Sequence, residues 1–259
     1  MRVSVNAVGV LALGLPDWAT ASAVLAQQRE FVLVSLPTPQ PTCLAPAERR
    51  RSSPTVRLAI ATAEQALRQT LLSPRDMAMV FSSYEAAGLI THQLCEVLAG
   101  TREVSPTQFH NSVHNAPSGY YSIAMNARRA ASSVCHGEWS FAAGLLNATA
   151  QAVADKLPVL YVCYDSPLPP PICEVMPVVE ATAIALVLTP RDDPVPVATW
   201  DLAIVPRLGA TEWNDWIPQE WHANASARGF AALELLANPG RCAALLPLSP
   251  ELDLKVIRC

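Results

Sequence analysis

The stretch from residue 130 to residue 164 constrains the fold of this chain more than any other part of it. Residues 130 to 137 read as a strand, residues 138 to 155 as an alanine-rich helix, and Leu157 to Tyr164 as a hydrophobic run. A strand that is apolar at both alternating sets of positions must be covered on both faces. The segment is therefore a strand–helix–strand unit inside a layered α/β fold with a largely parallel or mixed sheet.

The rest of the chain follows the same alternation. Val3, Val5 and Ala7 alternate with Ser4 and Asn6, so residues 2 to 13 read as a first strand, and residues 31 to 35 read as another. Ser53 and Pro54 open a helix whose apolar stripe is Val56, Ala59, Ile60, Ala63, Leu67 and Leu71, ended by Ser73 and Pro74. Met77 to Phe81 is a buried strand, Ala86 to Leu98 a helix closed at Gly100, and Ser105 with Pro106 starts a further helix. Beyond the breaker Pro167 to Pro171 lie strands at 181 to 189 and 198 to 205, a helix from Ala225 to Ala237 and a last strand at 252 to 258.

Composition closes off several functions. Hydrophobic residues make up 51% of the 259 and charged residues 15%, which excludes a disordered chain. Lys156 and Lys255 are the only lysines and the net charge is -4, so no basic footprint for nucleic acid exists. No run reaches the roughly 18 apolar residues of a membrane span. Arg2, the apolar run Val8 to Leu15 and the small residues Ala19 to Ala23 imitate a signal peptide, but the alternation around Ser4 and Asn6 favours a strand. Seven cysteines scattered singly cannot all pair within one chain, and a reduced, cytoplasmic setting is expected.

Few residues offer chemistry. His110 and His114 are four apart and could share a helical face, but no third metal ligand is evident and no metal is expected. Cys135 and His136 are neighbours in a strand and point to opposite faces, so they form no dyad, and Cys135 is expected to be buried and structural. Arg49 to Arg51 and Arg128 with Arg129 could meet an acidic partner or a phosphate, or be solvated turns. Trp213, Trp216 and Trp221 could line a groove or cover a core edge. The informative junction runs from Val134 to Gly144, where a strand ends and a helix begins near Glu138. A helix N-terminus would activate a thiol there, yet the position holds a carboxylate.

The run from Phe109 through His110, Asn111, His114, Asn115, Gly119, Tyr120 and Tyr121 to Ala124, followed by the turn at Glu138 and a helix to Ala150, resembles the amino-terminal half of β-ketoacyl synthases. The opening strand, the Arg49 to Arg51 turn with its helix, and Val80 to Ser83 before Gly88 support this. More narrowly, the chain resembles the short ketosynthase-like chain-length factors of aryl-polyene and related pigment pathways. The resemblance implies a thiolase-like half, a layered α-β-α arrangement on a mixed five-stranded core sheet. It also implies a single domain over 1–259, with 1–165 well matched and 166–259 a divergent, truncated remainder packed on it.

It further implies that Glu138 stands at the position of the acyl-accepting cysteine, which leaves no catalytic residue. The two histidines of an active ketosynthase are missing, since only His222 follows residue 136. The implied role is a non-catalytic subunit, without cofactor or metal, that pairs with a catalytic ketosynthase in fatty-acid or polyketide-type biosynthesis. Its interface would lie around strand 130 to 136 and include Phe109, Asn111, His114, Asn115, Tyr120, Tyr121, Ser133 and Cys135. Leu89, Thr91 and Cys95 would face a tunnel holding an acyl chain delivered on the phosphopantetheine of an acyl carrier protein, which Arg128 and Arg129 could contact. Two rivals are an independent acyltransferase or decarboxylase using Cys135 or Glu138, and a homodimeric carrier of acyl chains.

Overall fold

The structure is a computed structural model that describes residues 1–85, 87–190, 196–207, 209, 211 and 213–259. Its strands are β1 (Arg2–Ala12), β2 (Ala78–Ser83), β3 (Ala131–Cys135), β4 (Val159–Asp165), β5 (Thr182–Pro190), β6 (Ala198–Pro206), β7 (Ala243–Pro247) and β8 (Leu252–Arg258). Its helices are α1 (Trp18–Leu25), α2 (Pro46–Arg51), α3 (Pro54–Leu67), α4 (Gly88–Ala99), α5 (Pro106–Asn111), α6 (Ala116–Met125), α7 (Ser140–Asp155), α8 (Ile172–Val175) and α9 (Phe230–Ala237).

All eight strands join one mixed sheet in the order β3-β2-β4-β5-β1-β6-β8-β7. β3, β2 and β4 are parallel, β5 runs against both β4 and β1, and β6, β8 and β7 add antiparallel ladders. The expected five-stranded core is thus present as β3-β2-β4-β5-β1, but the sheet has eight strands. The second edge of β1 is free over Arg2 to Val5, and β6 pairs there and carries β8 and β7 with it.

Every residue of β4 is buried, as its composition requires. One face of the sheet packs on α3 and α6 through Val56, Ala59, Ile60, Ala63 and Tyr121. The other face packs on α7, α1 and α9 through Phe141, Leu145, Val24 and Leu233. Ser53 caps α3 by accepting a bond from the Val56 amide at 3.1 Å. α7 lies so close to the sheet that a Cβ on Gly144 would sit 2.6 Å from the Tyr161 ring and 2.7 Å from the Ser82 hydroxyl.

Several sequence expectations are corrected. Residues 31 to 35 form no strand: past Val5, where β6 leaves β1, the Val10 amide and the Val8 carbonyl on that edge are taken by the Gln65 and Gln69 side chains, and Val32, Leu33 and Val34 lie exposed. A bond from the Gly14 amide to the Val34 carbonyl, 2.8 Å, ties this segment to the turn just past β1. Leu71 falls beyond the end of α3 and is fully exposed. The helix expected from Ala225 begins as a 3-10 turn over Ser226–Gly229, where Gly229 backs directly onto the Phe141 ring and leaves no room for a side chain. β7, α1 and α6 are additional to the elements read from the sequence, and Ala19 to Ala23 lie within α1. No helix among the described residues is long and apolar enough to cross a membrane.

Candidate functional site

The strand directions bring the carboxyl ends of β2, β3 and β4 and the amino end of β5 to one edge of the sheet. That is where α/β sheets hold ligands, because loops and helix starts converge there. The turn between β3 and α7 is built by Gly137 at φ +55°, a conformation that favours glycine, and by Ser140. The Ser140 hydroxyl accepts from the His136 amide at 2.8 Å and donates to the Gly137 carbonyl at 2.7 Å.

This turn presents Glu138 to Arg228, which comes from the 3-10 turn before α9, and the two form an ion pair. Glu138 remains 46% exposed whereas the Arg228 side chain is only 9% exposed. The guanidinium lies over the Trp213 ring at 5.4 Å, and Trp213 in turn stacks on His222 at 4.2 Å with the rings nearly parallel. Its Nη1 donates to the Thr211 hydroxyl at 3.2 Å, while Nε is buried with no partner among the described residues. Burial pulls the Arg228 pKa down and the Glu138 charge pulls it back up.

A second carboxylate ends β4. Asp165 is fully buried and accepts bonds from the Ser226 amide at 2.7 Å, the Ser226 hydroxyl at 2.6 Å and the Tyr84 amide at 2.8 Å. Burial pushes its pKa up, and the bonds from Ser226 and Tyr84 oppose the shift. Ser226 also bonds the Thr182 hydroxyl, to which Asn224 donates at 2.9 Å. This network clamps residues 224 to 228 against the ends of β4 and β5 and so sets Arg228 opposite Glu138.

Cys135 is exposed, not buried, because β3 is an edge strand and ends at this residue. Its thiol donates to the Tyr84 carbonyl at 2.9 Å, and no histidine or carboxylate bonds to it among the described residues. The His136 ring lies against Trp139 instead. Trp216 and Trp221 pack with Phe31 and Phe230 on the core, as covers of its edge, while Trp213 alone joins the charged site.

The residues expected at an interface divide. Phe109, Asn115 and Cys135 are exposed, and His114 and Ser133 are partly exposed. Asn111, Tyr120 and Tyr121 are buried in the single chain. Asn111 donates to the Arg51 and Thr107 carbonyls at 3.0 and 2.8 Å, and Tyr121 packs on Phe81. The outer edge of β3 pairs with no strand among the described residues. Phe109, Val113 and Ile123 add exposed apolar area on α5, α6 and the turn between them.

The expected tunnel residues do not share a face. Leu89 lines a small cavity with Thr55, Tyr84, Glu85 and Asp165, whereas Thr91 and Cys95 lie exposed one turn apart on α4. His110 lies in α5 and His114 beyond its end, and no group of three or more metal-ligating side chains forms among the described residues. Arg128 and Arg129 precede β3 and so lie at the end of the strand opposite Glu138. Tyr84, Asp165, Ser226 and Arg228 were not singled out by the sequence reading. A lone acid closing the apolar run of β4 was the available signal for Asp165.

Comparison with known proteins fits this architecture. The chain superposes on a structure described as "Ketosynthase (ApeO) in Complex with its Chain Length Factor (ApeC) from Xenorhabdus doucetiae" with a TM-score of 0.74 and 22% identity, covering 100% of both chains. It matches "The ishigamide ketosynthase/chain length factor" at a TM-score of 0.72 and 9% identity, covering 100% of this chain and 99% of that one. A type II polyketide synthase acyl carrier protein in complex with its ketosynthase, AntDE:AntF, gives 0.64 at 14% identity, over 79% of this chain and 68% of that one. No curated protein matches the sequence. The family described as "Beta-ketoacyl synthase, N-terminal domain" matches residues 18–237, and the chain belongs to that family, with the thiolase-like ketosynthase fold.

Proposed function

We infer that this chain is the non-condensing partner, or chain-length factor, of a catalytic ketosynthase. The observation that carries the reading is the turn after β3, where Glu138 occupies the place the resemblance gives to the acyl-accepting cysteine and is paired with Arg228. A carboxylate held by a guanidinium is a poor acyl acceptor, and the nearby Cys135 thiol bonds the Tyr84 carbonyl and no base among the described residues. The unpaired edge of β3, flanked by exposed Phe109, Val113 and Ile123, supports pairing with the other subunit there. The resulting heterodimer would be cytoplasmic, serve fatty-acid or polyketide-type synthesis of the aryl-polyene kind, and receive acyl chains from a carrier protein. Thr91 and Cys95, exposed on α4 in the single chain, become tunnel wall only when the partner covers them. Their side chains then limit the acyl chain sterically, since packed surfaces accept added methylenes poorly.

The test is a condensation assay with the reconstituted pair. Glu138→Cys should give no condensing activity without a partner, and Thr91→Ala should shift product length while leaving turnover intact. Condensation by Glu138→Cys alone would overturn the subunit reading. An unchanged product distribution in both Thr91→Ala and Leu89→Ala would overturn the tunnel assignment. Phe109→Asp and Ile123→Asp should abolish complex formation while the chain itself stays folded, because both side chains are exposed.

A further inference from the structure

We propose that the Arg228 guanidinium is a binding site for small carboxylates whose resting ligand is the chain's own Glu138, displaced when a free carboxylate enters from solvent at the end of β3. The guanidinium offers a side-on fork made of Nε and Nη2, the geometry that matches both oxygens of a carboxylate. Glu138 uses half of it. Its Oε2 takes Nη2, while Nε stays buried and unpartnered among the described residues. A single-point contact to a nine-tenths-buried cation leaves unused binding capacity, and an untethered carboxylate could fill both arms of the fork.

The two sides of the ion pair are also built differently. Arg228 is fixed by Thr211 on Nη1, by Trp213 beneath its plane and by His222 stacked behind Trp213. Glu138 is half-exposed, and it follows Gly137, beside which the space is open. The cation is thus preorganised and its internal ligand is free to swing away. The intramolecular carboxylate competes at a high effective concentration, so it lowers the apparent affinity for an external one. This inference concerns Arg228 and Glu138 alone and does not depend on pairing with a ketosynthase.

The experiment is a titration of the wild-type chain, or of its complex where that is the stable form, and of Glu138→Ala with sodium acetate. Ionic strength is held constant with chloride, and tryptophan fluorescence, to which Trp213 contributes, is followed together with thermal stability. Glu138→Ala should bind acetate at least about tenfold more tightly than wild type, because the internal competitor is gone. Adding Arg228→Lys to Glu138→Ala should remove the response, since lysine keeps the charge and loses the fork. Glu138→Gln, close to isosteric, serves the same comparison should the alanine variant not fold. Acetate affinity no higher in either variant than in wild type would overturn the proposal, as would an equal response to chloride.

Discussion

Two carboxylates stand at the same edge of the sheet and are held by the same short segment, and they behave in opposite ways. Asp165 ends β4, is fully buried, and takes bonds from the Ser226 amide and hydroxyl and the Tyr84 amide. Glu138 follows β3, is half-exposed, and takes Arg228, two residues beyond Ser226. The difference lies in the strands. β4 is interior, so a polar group at its end must be fully satisfied by protein. β3 is an edge strand, so its end borders solvent and its carboxylate can exchange partners. One carboxylate therefore fixes the carboxy-terminal part of the chain to the sheet, and the other occupies a site.

Asp165→Ala should give the largest loss, about 3 kcal/mol or more in chemical denaturation, because it leaves buried amides without an acceptor. A loss no larger than that of Glu138→Ala would break the contrast. Ser226→Ala should cost about 1–2 kcal/mol by the same measurement, since the amide bond to Asp165 survives and the hydroxyl bonds do not. Arg228→Ala should cost about 1 kcal/mol, mostly lost packing on Trp213, because the half-exposed Glu138 can be hydrated in its place. Glu138→Gln should stay within about 0.5 kcal/mol of wild type.

The smallest effect is a pH dependence. The folded-state pKa of Asp165 is raised, so the folded chain holds its proton more tightly than the unfolded one. Its contribution is fully present below the ordinary Asp range and is reduced as pH rises through the raised value. The stability gap between wild type and Asp165→Ala should accordingly be widest at the acid end and narrow toward neutrality in parallel urea titrations. A gap that widens with pH would mean that the hydrogen bonds outweigh burial at this residue.

Much of the frame was legible in the chain because it rests on local patterns. The hydrophobic run of β4, the Ser53 and Pro54 start of α3 and the junction at Glu138 each follow from neighbouring residues. What was not legible depends on partners distant in sequence. Arg228 lies 90 residues from Glu138, and nothing near either residue announces the pair. Residues 31 to 35 have strand composition, yet the edges of β1 are taken by β5, by β6 over Arg2 to Val5, and beyond that by the Gln65 and Gln69 side chains, all distant in sequence. The Asn111, Tyr120 and Tyr121 side chains look like surface recognition groups in sequence but are consumed by internal packing. Cys135 fails in the other direction, since strand residues are usually covered and an edge strand's last residue is not.

On this reading the chain works as one half of a pair whose other half does the condensing. The most direct test is to tag it in its native host, purify it gently, and determine the mass and composition of what is recovered by size-exclusion chromatography with mass spectrometry. The expected species is a one-to-one complex with a larger, catalytically competent ketosynthase. Recovery of the chain alone, as a well-behaved monomer or homodimer, would rule out the paired role.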